Sequence, residues 1–83
     1  MKNIGPKSWE MFIKAGIHDV ETIQSMGAVA VFVAVEQAGC KPSLNLLDAI
    51  STGLQDKHIF DLSIREKGEL RLELEDYRAH IRE

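Results

Sequence analysis

The segment Ala28–Val35, which reads AVAVFVAV and is followed by EQAG, constrains the fold of this chain more than any other stretch. Alternating valine and alanine favour a β-strand by propensity, whereas the flanking glycines, the length and the Glu36-Gln37-Ala38 exit are typical of a helix. We interpret the segment as a helix. Because its side chains are apolar around the whole circumference, this helix should lie at the buried centre of the fold, where its alanines let neighbouring helices approach closely.

Glycines and short polar residues divide the chain before this helix into two others. A first helix is predicted from Ser8 to Ala15, where Gly16 supplies a left-handed C-cap. Asp19 is suited to the N-cap of a second helix of about two turns, which ends at Gly27. The residues expected to face the core in these two helices are Trp9, Phe12, Ile13, Val20, Ile23 and Met26.

The second half of the chain predicts two more helices joined by an apolar connector. Ser43 is the expected N-cap of a fourth helix that runs to about Thr52. The sequence SIRE is a capping box, in which Ser63 and Glu66 satisfy each other's backbone donors and begin a fifth helix. Predicted to face inward are Leu44, Leu47, Ile50 and Leu54 of the fourth helix, Ile59, Phe60 and Leu62 of the connector, and Ile64, Leu70, Leu74, Tyr77 and Ile81 of the fifth helix.

Polar residues within the last two helices carry two further expectations. Asn45 lies in an apolar stretch, so its amide is predicted to be buried and to cap a neighbouring helix or loop. Arg71 lies among alternating charges and, with Arg78, accompanies the acidic pair Glu75-Asp76. This pattern is typical of a solvated surface network rather than of acid-base catalysis.

Length and charge limit the classes of function. A chain of 83 residues forms one domain, over residues 1–83, with a small core, so a partner or a second copy is expected to cover some apolar surface. The net charge of -3 disfavours avid DNA binding, which needs clustered Lys and Arg. The single Cys40 cannot form an intramolecular disulfide, and no apolar run reaches a membrane span or a signal peptide. We therefore expect a cytoplasmic protein.

The stretch NIGPKS, from Asn3 to Ser8, is the one candidate site. Gly5 permits backbone angles closed to other residues, and Pro6 suits the first position of a helix. Such a helix N-terminus presents unpaired N–H groups and a positive dipole, beside which Lys7 adds a full charge, so it can hold a phosphate or an acidic partner. A turn that merely begins the first helix explains the same residues. The candidate contact residues are Lys2, Gly5, Pro6, Lys7, Ser8 and Lys14.

No residue pattern in the chain predicts catalysis. His18, His58 and His80 are scattered, with no carboxylate or Cys at a metal-ligand spacing, and Cys40 has no sequence-local His to activate it. We therefore expect no enzyme activity, no catalytic residue, no metal and no cofactor.

Four stretches in this order resemble a known family. They are NIGPKS (Asn3–Ser8), AGI (Ala15–Ile17), GAVA (Gly27–Ala30) and SLNLLDA (Ser43–Ala49), and the resemblance is to the C-terminal domain of the TfoX (Sxy) competence-regulator family. KAGIHDVETI also looks like part of the C-terminal domain of the bacterial RNA polymerase α subunit. The resemblance implies an all-α, compact five-helix domain of the SAM-like or helix-hairpin-helix type. It also implies a role in competence regulation alongside the transcription machinery.

Two features depart from the helix-hairpin-helix pattern. The loop usually carries two glycines around its hydrophobic residue, and here the first position is Asn3, which tolerates left-handed geometry less freely. Only Met1 and Lys2 precede the loop, so the first helix of the hairpin is expected to be absent or replaced by a distant segment such as the one after Ser63. The separate N-terminal domain of the family's full-length regulators is likewise expected to be missing.

Two functions remain as hypotheses. The first is a protein-interaction module of a transcriptional regulator, which binds a protein partner or a second copy through apolar surface around the third to fifth helices. The second is sequence-independent phosphate contact with DNA by the amides of Gly5 to Ser8 and the nearby lysines. Low net charge favours the first.

Overall fold

The valine- and alanine-rich segment is a helix, and it forms the centre of the domain. In the computed structural model, which describes residues 1–81, five α-helices follow in order, with a one-turn 3-10 helix before the last. They are α1 (Pro6–Lys14), α2 (Val20–Met26), α3 (Ala28–Gln37), α4 (Leu44–Leu54) and α5 (Ile64–Ile81), and the 3-10 helix is Ile59–Asp61. Residues 1–81 contain no strand, so the all-α, five-helix prediction is confirmed.

Capping residues lie where the sequence predicted, although α1 begins at Pro6 rather than Ser8 and α4 ends at Leu54 rather than at about Thr52. Gly16 and Gly27 have φ values of 83° and 85°, the left-handed region that glycine enters without a Cβ clash. The Asp19 carboxylate accepts the backbone N–H of Thr22 at 2.7 Å and so caps α2. Ser63 and Glu66 form the reciprocal capping box of α5, at 3.2 Å and 3.1 Å. Ser43 precedes α4 as predicted, although its side chain makes no capping hydrogen bond.

Helix α3 packs against all four other helices. Val31, Phe32 and Val35 are essentially inaccessible, and its other valines are also buried. The surrounding helices contribute large side chains to the same core, among them Phe12, Ile23, Leu47, Ile50 and Leu74. Trp9 is partly buried and meets Phe12 edge to face, with ring centroids 5.4 Å apart. The predicted central position of α3 is confirmed.

Several residues predicted to face inward are exposed, and a position off the buried face explains some of them but not Tyr77 and Ile81, which share the face of Leu70 and Leu74. Each helix packs on only part of its circumference, and residues about 100° away from the buried face reach solvent. Ile64 lies six residues before Leu70, which is not a helical repeat, and it is 90% exposed. Phe60 is 88% exposed and stacks on His58, whereas Leu62 is buried in the core and Ile59 is half-buried outside the core cluster. The remaining exposed residues are Ile13, Met26, Leu44, Tyr77 and Ile81.

Candidate functional site

Asn3 shapes the turn that precedes α1. Its φ of 67° is left-handed, and its side-chain amide donates to Thr52 Oγ1 at 2.9 Å and to the Lys57 carbonyl at 2.8 Å. The Thr52 hydroxyl donates in turn to the Asp48 carbonyl at 2.8 Å. These bonds attach the N-terminal turn, residues 1–5, to the C-terminal end of α4. The hydrogen-bonded support of the turn therefore comes from the end of α4 and the residues after it, rather than from the segment after Ser63 that the sequence offered as one alternative.

Two glycines near this turn differ in whether the structure has room for a Cβ atom. Gly53 of α4 lies under the turn, since a Cβ added there would come within 2.5 Å of the Lys2 carbonyl oxygen. Gly5, by contrast, has an extended backbone with φ of -99°, and a Cβ there would meet open space. The prediction that Gly5 uses angles closed to other residues is wrong, because Asn3 makes the left-handed step instead.

The first turn of α1 is an open helix N-terminus. Gly5 is its N-cap and offers no side chain for a capping hydrogen bond, and Pro6 follows at the first helical position. The Trp9 N–H bonds to the Gly5 carbonyl at 3.1 Å, which leaves the N–H groups of Lys7 and Ser8 without a partner among residues 1–81. No acidic residue lies in this turn. Its local field therefore favours an anion.

The structure separates the predicted lysines into two places. Lys2 and Lys7 are exposed beside the open turn, whereas Lys14 lies in the last turn of α1. Seven residues at 1.5 Å per residue put Lys14 about 10 Å along the axis from Lys7. Glu10 lies three residues beyond Lys7 and four before Lys14, so an opposite charge stands between them on the same side of the helix. Lys14 does not join the turn.

A groove of about 490 Å³ lies beside the start of α1. The start of α4, whose N-cap Ser43 also makes no side-chain capping bond, opens onto the same groove. Of the predicted contact residues only Ser8 lines it. The lining residues are Asn3, Ser8, Met11, Lys41, Pro42, Ser43, Asn45, Leu46, Ala49, His58 and Ile59.

Sequence reasoning missed this groove, because it joins residues far apart in the chain. The nearest indication was Pro42-Ser43 at the start of α4. Asn45 lines the groove and is exposed, so the prediction of a buried amide is wrong. It stands in the first turn of α4, where Leu46 and Leu47 occupy the inward positions.

Arg71 and Arg78, predicted to belong to a solvated surface network, instead form two ion pairs between helices. Arg71 of α5 donates to both carboxylate oxygens of Asp48 in α4, at 2.7 Å and 3.2 Å. The Asp48 side chain is 5% exposed and that of Arg71 33% exposed. Hydrogen bonding to Asp48 raises the pKa of Arg71 above its ordinary value. Arg78 makes a similar two-point contact with Glu36 of α3.

A second surface stands out in the last third of the chain. The most exposed large apolar side chains are Ile64 at 90%, Phe60 at 88% and Leu72 at 63%. We call these three residues the C-terminal apolar surface. Phe60 precedes α5 in the 3-10 helix, and the other two lie on α5 itself. Isolated exposed apolar residues are ordinary, and here three of them fall within residues 60–72.

The described residues show neither a metal centre nor a membrane helix. Among residues 1–81, no three His, Cys, Asp or Glu side chains are grouped so that they could hold a metal ion. None of the helices in that range has the length and apolar character that crossing a membrane requires.

The class of protein is therefore a small all-α domain in which four helices surround a buried apolar one. The family can be stated as well, because the model of the TfoX C-terminal domain matches residues 1–74. The chain belongs to that family, a regulatory type of domain related to competence regulators. The match ends within α5. No curated protein and no solved structure matches the chain.

Proposed function

We propose that this chain is a non-catalytic interaction module of a competence-type transcriptional regulator, and that it binds a protein partner through the C-terminal apolar surface. The observation that carries the proposal is the exposure of Phe60, Ile64 and Leu72 in one short segment. Burying one such side chain contributes about 1.5–3 kcal/mol, so the three together supply about 5–9 kcal/mol before the costs of association. That magnitude suits a transient partner. The role requires a cytoplasmic location.

The internal chemistry of the domain supports a non-catalytic role. Asp48 and Glu36, the two acidic groups nearest to arginines of α5, are both held in two-point ion pairs. His18, His58 and His80 are exposed on separate segments. No cofactor is needed for the proposed role.

The test compares two polar variants by affinity capture from extracts of the producing cells. The first variant carries Phe60→Ser, Ile64→Ser and Leu72→Ser. The matched control carries Ile13→Ser on α1, where the side chain is 54% exposed. We expect the control to retain the proteins that the wild type captures and the triple variant to lose them, while far-ultraviolet circular dichroism shows the same helix content for all three. Equal capture by the triple variant would refute the proposal.

DNA contact is the second candidate, and the open first turn of α1 beside Lys2 and Lys7 favours it. Fluorescence anisotropy of a labelled duplex at low and moderate salt tests it, because each phosphate contact steepens the salt dependence of binding by about 0.9 in log–log slope. Salt-sensitive binding that disappears in Lys7→Glu and persists in Lys14→Glu would support contact at the turn. Absence of binding at low salt would remove this candidate.

A further inference from the structure

The outward face of α5 carries a regular stripe. Ile64, Gly68, Leu72, Glu75 and Ala79 follow one another at helical spacing, and all five are exposed. At 100° per residue they fall within about 80° of the helix circumference. Leu70 and Leu74, which attach α5 to the core, lie on a different face and are 9% and 2% exposed. The stripe is therefore available for contact along the length of a helix of 18 residues.

Exposed charged residues of opposite sign lie beside the two ends of this stripe, among the mixed charges of α5. Arg65 lies near the start of the stripe, and Glu75 and Asp76 lie near its end. Arg65 and Glu75 are each five residues from Leu70, so two such helices crossing in opposite directions at the level of Leu70 bring them to the same height. Gly68 and Leu72 are each two residues from Leu70 and meet in the same arrangement.

We propose that Ile64 and Leu72, the part of the C-terminal apolar surface that lies on α5, pack against a second copy of this chain, and that the two α5 helices pair antiparallel about a two-fold axis at the level of Leu70. The inference rests on the proposed function and names its partner. Leu72 of each copy packs over Gly68 of the other, where a missing side chain leaves open space. Arg65 of each copy lies beside Glu75 and Asp76 of the other. The two-fold axis makes every contact occur twice.

Charge complementarity selects this arrangement over a parallel one. Parallel helices in register would place Arg65 against Arg65 and Glu75 against Glu75, and like charges across an interface are unfavourable. Among the described residues 1–81, Arg65 pairs with Glu69 at 3.4 Å, with side chains 89% and 60% exposed. Such a surface pair is weak and does not hold Arg65 away from a partner. Arg71 and Arg78 remain engaged with Asp48 and Glu36, so pairing leaves the internal ties intact.

The size of the contact sets how tight the dimer is. A helix of 18 residues is about 27 Å long, and one face of it buries less surface than a standard stable interface. The dimer is therefore expected to depend on concentration.

Sedimentation equilibrium of the 83-residue chain across a concentration series tests the pairing. The wild-type mass should rise from 9.3 kDa towards twice that value as the concentration increases. Two charge variants, Arg65→Glu and the double variant Glu75→Arg with Asp76→Arg, should each stay at the monomer mass. An equimolar mixture of the two should dimerise again, because each new charge then faces its opposite. Gly68→Leu, which fills the open space and leaves every charge in place, should stay monomeric.

The outcomes separate this inference from the proposed function. A wild type that remains monomeric at every concentration overturns the self-pairing, and so does a mixture that fails to restore the dimer. If the wild type is monomeric and the Phe60, Ile64 and Leu72 variant still loses captured proteins, only the self-pairing falls. If that variant also captures normally, both proposals fall. Unchanged circular dichroism of each variant shows that folding is not the cause.

Discussion

The tie between Arg71 and Asp48 leads to a prediction about what holds α5 to the domain. We expect Arg71→Ala to lower the free energy of unfolding by about 2–3 kcal/mol. Removing one member of a fully buried pair costs about 3–5 kcal/mol, because it strands a charge away from water. The value is reduced here because the Arg71 side chain is 33% exposed, so water reaches the site, although the carboxylate of Asp48 is 5% exposed. At about 0.05–0.15 kcal/mol per residue, the whole domain has only about 4–12 kcal/mol of stability.

Two further variants separate charge from geometry. Arg71→Lys keeps the positive charge but cannot make the two parallel hydrogen bonds. Its free energy of unfolding should therefore lie between those of the wild type and Arg71→Ala. The double variant combines Arg71→Ala with Asp48→Ala, so the buried Asp48 carboxylate that Arg71→Ala alone leaves unpaired is absent. The double variant should therefore be more stable than the sum of the two single losses predicts, by about 1–2 kcal/mol.

Urea denaturation followed by circular dichroism at the helix band measures the free energy of unfolding of five proteins: the wild type, Arg71→Ala, Arg71→Lys, Asp48→Ala and the double variant. A loss of less than about 0.5 kcal/mol in Arg71→Ala, the range of an exposed pair, would mean that Arg71 and Asp48 do not hold α5 to the domain. Additive losses in Arg71→Ala and Asp48→Ala would lead to the same conclusion, since the pair would then contribute no coupling energy.

Four other substitutions test the remaining features. Phe32→Ala at the centre of α3 should lower stability by about 3–5 kcal/mol, and an unchanged melting temperature would contradict its central position. Gly53→Ala should destabilise the domain because its Cβ would come within 2.5 Å of the Lys2 carbonyl oxygen. Gly68→Ala, in open space inside α5, should stabilise it by about 0.5–1 kcal/mol, and thermal melts that rank the two in the opposite order would be inconsistent with the structure. Hydrogen bonds from Thr22 lower the pKa of Asp19 below its ordinary 3.8, so this cap stabilises fully above that pH and is lost as the pH falls through the lowered pKa. The melting temperature of wild type should therefore fall more steeply below pH 3.8 than that of Asp19→Asn, which caps without titrating, and parallel falls would argue against the cap.

Local chemistry made the helices predictable. Gly16, Asp19 and the Ser63–Glu66 box act on backbone groups within four residues of themselves. The helix ends that they define can therefore be predicted without knowing the fold. The apolar run of α3 was also sufficient, because a helix apolar on all sides has to be surrounded by others.

The features that could not be predicted from the sequence depend on contacts between residues far apart in the chain. Asp48 and Arg71 are 23 residues apart, and nothing local shows that an aspartate in α4 is buried or that an arginine amid alternating charges turns towards it. The groove beside α1 combines residues from three separate parts of the chain. Ile64 and Phe60 were assigned to the core by their chemistry alone, whereas their exposure depends on which face of each element meets α3.

Trp9 is the sole tryptophan of the chain, so the intrinsic tryptophan fluorescence of the domain reports on one region only. Its indole lies on α1 against Phe12, so its emission follows the environment at that end of the molecule. Helicity measured across the whole chain is weighted instead towards the long terminal helix. If α5 unfolds before the other helices, the ellipticity will decline while the Trp9 emission stays constant. If both signals change in one transition, the domain unfolds cooperatively as one unit.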